Sequence, residues 1–239
     1  MSNIVMLNNI EHKNLKVVTL RGKDYGDDDM CVPTCPKEFR SLQAQYPIVF
    51  GKNTKSGEFT PVVLLGLQEG ENLFIEDGEW KARYIPLCAE CKPFYIGQQS
   101  QRDISASLNW VIHVDLDSPK ISTDKGLSLF KEHGGSSDYL MRMSQALGMI
   151  HEGISEVKPF INLLLEFDLL EPFSAEITLK NNQQYSLNGF YTINEEKLAG
   201  LPIDAIKKLH DSGFLFDIYM QIASLSQISA LIERKNNQL

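Results

Sequence analysis

The sequence predicts an α+β protein, with short antiparallel strands in its first half and a helix-rich second half that carries one β-hairpin. Three observations predict it. Up to Asp115 the apolar residues alternate with polar ones or gather in short runs bounded by turn residues. From Ser136 they recur at helical spacing. Between Phe173 and Ile193 the strand pattern returns around Asn181-Asn182, a pair suited to a hairpin turn.

In order, strands are expected at Lys16 to Leu20, Cys31 to Thr34, Pro47 to Gly51, Phe59 to Leu67 and Asn72 to Ile75, with a brief helix from Glu38 to Gln45. Asp77-Gly78 suits a hairpin turn leading into Trp80 to Ile85. Leu108 to Asp115 alternates Trp110, Ile112 and Val114 with the residues between them, and Ser118-Pro119 ends the run. Leu140, Met143, Leu147, Ile150, Ile154 and Val157 share a helix face, capped by Ser137 or Asp138, with a kink or break at Pro159. A second helix is expected from Ile161 to Leu170, then strands Phe173 to Lys180 and Gln184 to Ile193. Asn194 caps Glu195 to Leu198, Asp204 to His210 follows, and Phe214 to Glu233 closes the chain after Gly213. This divides the chain into a β-rich portion, 1–119, a helical portion, 136–239, with its hairpin at 173–193, and a polar linker, 120–135. One compact domain is the alternative.

Composition narrows the function classes. At 239 residues and 43% hydrophobic, the chain can bury a real core. Its net charge of -8 without a basic stripe opposes a nucleic-acid partner, which needs clustered Lys and Arg. The first residues lack a charged start followed by a long apolar run, and no later apolar stretch is expected to cross a bilayer. A cytoplasmic protein is therefore expected, and cytoplasmic thiols are reduced.

The cysteines are the most specific chemical feature. Cys31 and Cys35 form one tight pair and Cys88 and Cys91 another, a spacing that lets two thiolates from each segment close around one zinc ion. Four thiolates leave no open coordination position, so such a zinc would be structural. Buried thiols packed as small hydrophobes are the simpler alternative. Glu90, between Cys88 and Cys91, opposes the low thiol pKa that redox exchange needs.

Other constellations are weaker. His113 and Asp115 would point to one face of a strand, like two ligands of a non-haem iron oxygenase, with His133, His151 or His210 as the third. This is the alternative enzymatic reading, and a plain strand face is the simpler one. Asp115, Asp117, Glu166, Asp168 and Glu171 offer paired carboxylates, although Asp117-Ser118-Pro119 is more simply a turn. Trp80, Tyr84, Phe94 and Tyr95 would line a peptide groove or fill the core. Phe214, Leu215, Ile218, Ile222, Leu225, Ile228 and Leu231 form a face wide enough to need cover, from the Leu140 to Val157 helix or from a second copy in a homodimer.

Several segments together carry a family resemblance. They include Val32-Pro33 with Glu38-Phe39, Tyr46-Pro47-Ile48-Val49-Phe50, Pro61-Val62-Val63-Leu64-Leu65-Gly66-Leu67 and Asn72-Leu73-Phe74-Ile75. Trp80 through Pro86, Pro93-Phe94, Asp115 to Pro119, Leu169-Leu170-Glu171-Pro172, Leu187-Asn188-Gly189-Phe190-Tyr191 and Asn194-Glu195-Glu196-Lys197-Leu198 continue it. In this order they resemble the SapC family, named for proteins associated with bacterial surface layers. The resemblance implies a non-catalytic binding or assembly factor for a protein or surface polymer in envelope biogenesis. It supplies no catalytic residue and no cofactor, so a zinc on the four cysteines would be a local elaboration.

Overall fold

The computed structural model describes residues 3–98 and 110–239. The elements run β1 (Ile4–Met6), β2 (Lys16–Val17), β3 (Cys31–Pro33), α1 (Pro36–Leu42), β4 (Ile48–Lys52) and β5 (Phe59–Leu64). Next come β6 (Ile75–Glu76), β7 (Glu79–Trp80), α2 (Leu87–Glu90), β8 (Phe94–Gln98), β9 (Trp110–Asp115), β10 (Ile121–Ser122) and β11 (Leu127–Ser128). The second half holds α3 (Asp138–Glu166), β12 (Leu170–Thr178), β13 (Gln184–Ile193), α4 (Glu195–Ala199), α5 (Ile203–Asp211), α6 (Phe214–Ser224) and α7 (Gln227–Asn237). The α+β class is as the sequence predicts. Leu108 and Asn109, expected at the start of the β9 strand, lie outside the described residues.

Two compact units divide the chain. The first gathers Met1–Asp27, Asp77–Glu79 and Leu87–His151, and the second gathers Asp28–Glu76, Trp80–Pro86 and Glu152–Leu239. The stretch expected as a linker, 120–135, belongs to the first unit and carries β10 and β11.

In the first unit, β9 is the centre of an antiparallel sheet with β1 and β8 beside it, and β2 is the centre of a smaller one with β10 and β11. Val17, Phe94, Val114, Leu129, Leu140 and Leu147 are its core. The Phe94 ring meets Tyr139 at 6.4 Å, and Trp110 meets His151 at 6.2 Å. Both contacts tie a sheet residue to α3.

The second unit is built on a five-stranded antiparallel sheet in the order β12-β13-β4-β5-β3. Phe160 of α3 is fully buried and its ring lies 5.8 Å from Phe39, 6.2 Å from Phe50 and 5.2 Å from Phe214. Burying such a ring contributes about 1.5–3 kcal/mol. Because Phe160 is anchored, exposed Pro159 neither breaks nor ends the helix, and α3 runs on to Glu166 where the sequence predicts two helices. Asn194 caps α4 as predicted, its side chain accepting the Lys197 amide at 2.7 Å.

The last helix departs from expectation in an informative way. Phe214–Asn237 is long and apolar enough, by length and composition, to cross a membrane, where the apolar pattern predicts no such stretch. Between α6 and α7 Leu225 and Ser226 keep helical dihedral angles with tighter hydrogen bonds, and the residues α6 turns inward include Gln221 and Ser224, both fully buried. The Ser224 hydroxyl accepts the Ile48 amide at 2.9 Å, while the Gln221 amide donates to the Ile48 carbonyl at 2.8 Å and Thr192 Oγ1 at 3.2 Å. Thus α6 completes hydrogen bonds that β4 does not make to a neighbouring strand. Outward it leaves Phe216 and Tyr219 about half exposed.

Candidate functional site

The four cysteines are all reduced and fall in different units, Cys31 and Cys35 in the second, Cys88 and Cys91 in the first. Cys31 lies on β3 opposite Leu64, and Cys35 is the residue before α1. Cys88 is in α2, and Cys91 follows it with its amide bonded to the Leu87 carbonyl at 2.9 Å. Among the described residues no group of three or more His, Cys, Asp or Glu side chains is placed to hold a metal ion.

Burial and neighbouring charges set the state of the Cys31 and Cys35 thiols. Burial pushes Cys35 up to about 11, and the Glu38 and Glu156 charges add to it. Burial, then Glu69 and Asp29, also push Cys31 up. Both environments disfavour the thiolate that nucleophilic attack requires. Gly153 of α3 has no room for a Cβ, which would lie 2.2 Å from the Cys35 sulfur. Cys35 therefore fills the space that a glycine leaves for it.

His113 and Asp115 lie on β9 at alternate positions, as predicted. The His113 ring lies over Gly97 of β8, so close that a Cβ there would fall 1.8 Å from it, and its buried Nδ1 makes no hydrogen bond among the described residues. Asp115 Oδ1 accepts the Asp117 amide at 3.1 Å, which is turn chemistry. His133 is exposed, His151 sits beside Trp110, and His210 lies next to Asp211 on the exposed end of α5. The facial triad is not assembled among the described residues.

The remaining carboxylates are spent on structure. Glu166 pairs with Lys208 at 2.6 Å, Asp168 with Lys197 at 2.5 Å, and Glu171 accepts from Asn194. Trp80 and Tyr84 belong to a hydrogen-bonded core chain: Trp80 Nε1 donates to the Tyr46 hydroxyl at 2.8 Å, Tyr46 donates to the Tyr84 carbonyl, and Tyr84 donates to Glu38 at 3.0 Å. Phe94 is buried, and Tyr95 alone of that quartet is exposed.

Two charge clusters escape sequence reasoning. In the first unit the Asp27 carboxylate, 1% exposed, accepts from Lys120 Nζ at 2.7 and 3.0 Å, from Arg21 at 3.2 Å and from the Gly22 amide at 3.2 Å. Arg21 also pairs with Glu90 and donates to the Ala89 carbonyl at 2.9 Å. Burial, then Arg21, push the Lys120 ammonium down, and Asp27 opposes them. The sequence shows Asp27 only as one of the acidic run Asp27-Asp28-Asp29 and Arg21 and Lys120 as separate charges, so nothing local marks their pairing.

In the second unit half-buried Asp217 of α6 is pushed up to about 7, by burial first and by the Glu156 charge second. The sign follows from linkage: the folded state holds this proton better than the unfolded chain, so its stabilisation is complete below about pH 4 and lost as pH rises toward about 7. Asp217→Asn is expected to match the parent near pH 4 and to exceed it at about pH 8 by about 1–2 kcal/mol, after allowance for solvent screening. Urea denaturation at both pH values measures this, and equal differences at the two would contradict it.

Two open clefts of the second unit remain as candidate sites. One, of about 550 Å³, runs between the end of α3 and the loop entering β5, and is mostly apolar. Ile154, Val157, Ile161 and Leu165 supply its helix wall, with Phe59 and Pro33 opposite. Ile154 is 58% and Leu165 50% exposed. The other, of about 630 Å³, lies beside β13 and is lined by amides and hydroxyls together with the apolar Met30, Leu67 and Phe190 side chains.

Nothing matches this chain among curated proteins or among solved structures. A family model described as SapC matches residues 7–231, nearly the whole chain and both compact units. The segments that carry the resemblance are spread through the same span, and the chain belongs to the SapC family.

Proposed function

We propose that this chain is a non-catalytic binding or assembly factor that engages another protein in the cytoplasm during envelope or surface-layer biogenesis. The observation that supports it is the apolar cleft on α3, where Ile154 and Leu165 stay half exposed at the helical spacing of a recognition face. Its occupant is a protein segment that presents apolar side chains to the helix wall, with Phe59 and Pro33 as the opposite wall. The tie to the envelope comes from the family alone. No step of this reading requires a metal or a catalytic group.

Photo-cross-linking in the producing cell tests it. A photoreactive residue at 154 should give one discrete adduct with an envelope-assembly protein, and the same residue at exposed Glu195 should not. Equal adducts at both positions, none at 154, or an adduct with a second copy of this chain would overturn the reading.

A further inference from the structure

The second cleft has a different chemistry from the first. Alternate residues of β13, namely Gln184, Ser186, Asn188 and Phe190, line one side, and Gln68 and Glu69 line the other. Both sides are held in place before any ligand arrives. On the loop side the Leu67 amide donates to Glu71 Oε2 at 3.0 Å, and Glu71 is paired at 2.5 Å with Lys235, both side chains being largely buried. Gly66 closes this loop, since a Cβ there would lie 2.4 Å from the Glu71 carbonyl. On the strand side Asn188 donates to the Ser186 hydroxyl, which donates to Glu176 at 2.8 Å. The Tyr185 ring, also lining the cleft, lies 5.4 Å from the Lys235 ammonium, so one lysine braces both sides.

The lining selects a ligand class. Amides and hydroxyls offer donors and acceptors together, which suits a ligand whose groups do both, and the Phe190 and Tyr185 rings offer apolar faces. Among the described residues lining the cleft none is Lys or Arg, and Glu69 is the one with charge. Anionic chains are therefore repelled. A ligand with many neutral hydroxyls and apolar C–H faces is a carbohydrate.

We propose that the cleft between β13 and the 67–69 loop binds a neutral oligosaccharide. This site is separate from the α3 cleft and stands whether or not that cleft holds a protein.

The test is an NMR titration of the full chain with cellotetraose, maltotetraose and triacetylchitotriose, each to about 10 mM, with a sulfated oligosaccharide beside them. At least one neutral sugar should give saturable shifts at the backbone amides of Gln184, Ser186 and Asn188. Gln184→Ala and Asn188→Ala, both at exposed positions, should each weaken that binding about tenfold, about 1.4 kcal/mol, without changing the melting temperature. Glu195→Ala should leave it unchanged. Absence of saturable shifts with all three neutral sugars, shifts that map elsewhere, or tighter binding of the sulfated chain would overturn the proposal.

Discussion

Asp27→Ala is expected to cost about 3–5 kcal/mol of stability, because it takes the paired carboxylate from the buried Lys120 ammonium and leaves Arg21 to its pair with Glu90. The Lys120 side chain is 3% exposed and Arg21 12%, so water does not take over the role of the carboxylate. The Gly22 amide loses its acceptor as well. Replacing the pair together, Asp27→Leu with Lys120→Met, is expected to recover the part of the loss that comes from the stranded Lys120 charge, since apolar residues of similar volume substitute for a buried ion pair at little cost, while the Gly22 and Arg21 bonds to Asp27 stay lost. Urea denaturation of the two variants measures both numbers. A loss under about 1 kcal/mol for Asp27→Ala would place the network in solvent and contradict this account of the first unit.

The second large effect is expected from Gln221→Ala combined with Ser224→Ala. Each removes the partner of one buried backbone group of Ile48, the amide facing Ser224 and the carbonyl facing Gln221. An unsatisfied buried group costs about 1–3 kcal/mol, so the double variant is expected to lose about 2–6 kcal/mol. Thr192 loses its bond to the Gln221 side chain. The measurement is again the unfolding free energy, and near-neutral substitution would mean that α6 does not dock on β4 through these groups.

Those two side chains also show what a sequence reveals and what it hides. Strand β13 and the Asn194 cap are readable because hydrophobic alternation and capping are local. The apolar stripe of the last helix calls for cover, and Ile218 and Leu231 are buried as it requires. That Gln221 and Ser224 also point inward is not readable, since the demand comes from β4, far earlier in the chain. The extent of α3 is hidden for a similar reason: Pro159 signals a break, and the ring contacts of Phe160 override it.

The candidate sites divide in the same way. Cysteine spacing reports which thiols are close along the chain and carries no information on whether distant pairs meet. Cys35 is explained by a glycine, Gly153, that no motif connects to it. The carboxylates that suggest acid-base chemistry are sequence neighbours of turns and helix ends, and Glu166 and Asp168 accordingly form surface ion pairs. Both clefts combine segments distant in sequence, such as Phe59 with Leu165 or Gln68 with Asn188, so single-segment patterns do not reveal them.

The binding role is tested most directly at the α3 cleft by charge. Ile154→Arg with Leu165→Arg changes two half-exposed positions, so the melting temperature should stay within about 2 °C of the parent. Affinity for the protein captured at position 154, measured by calorimetry with purified components, should fall at least about a hundredfold as two apolar contacts are replaced by charge. Unchanged affinity in this folded variant would contradict the account.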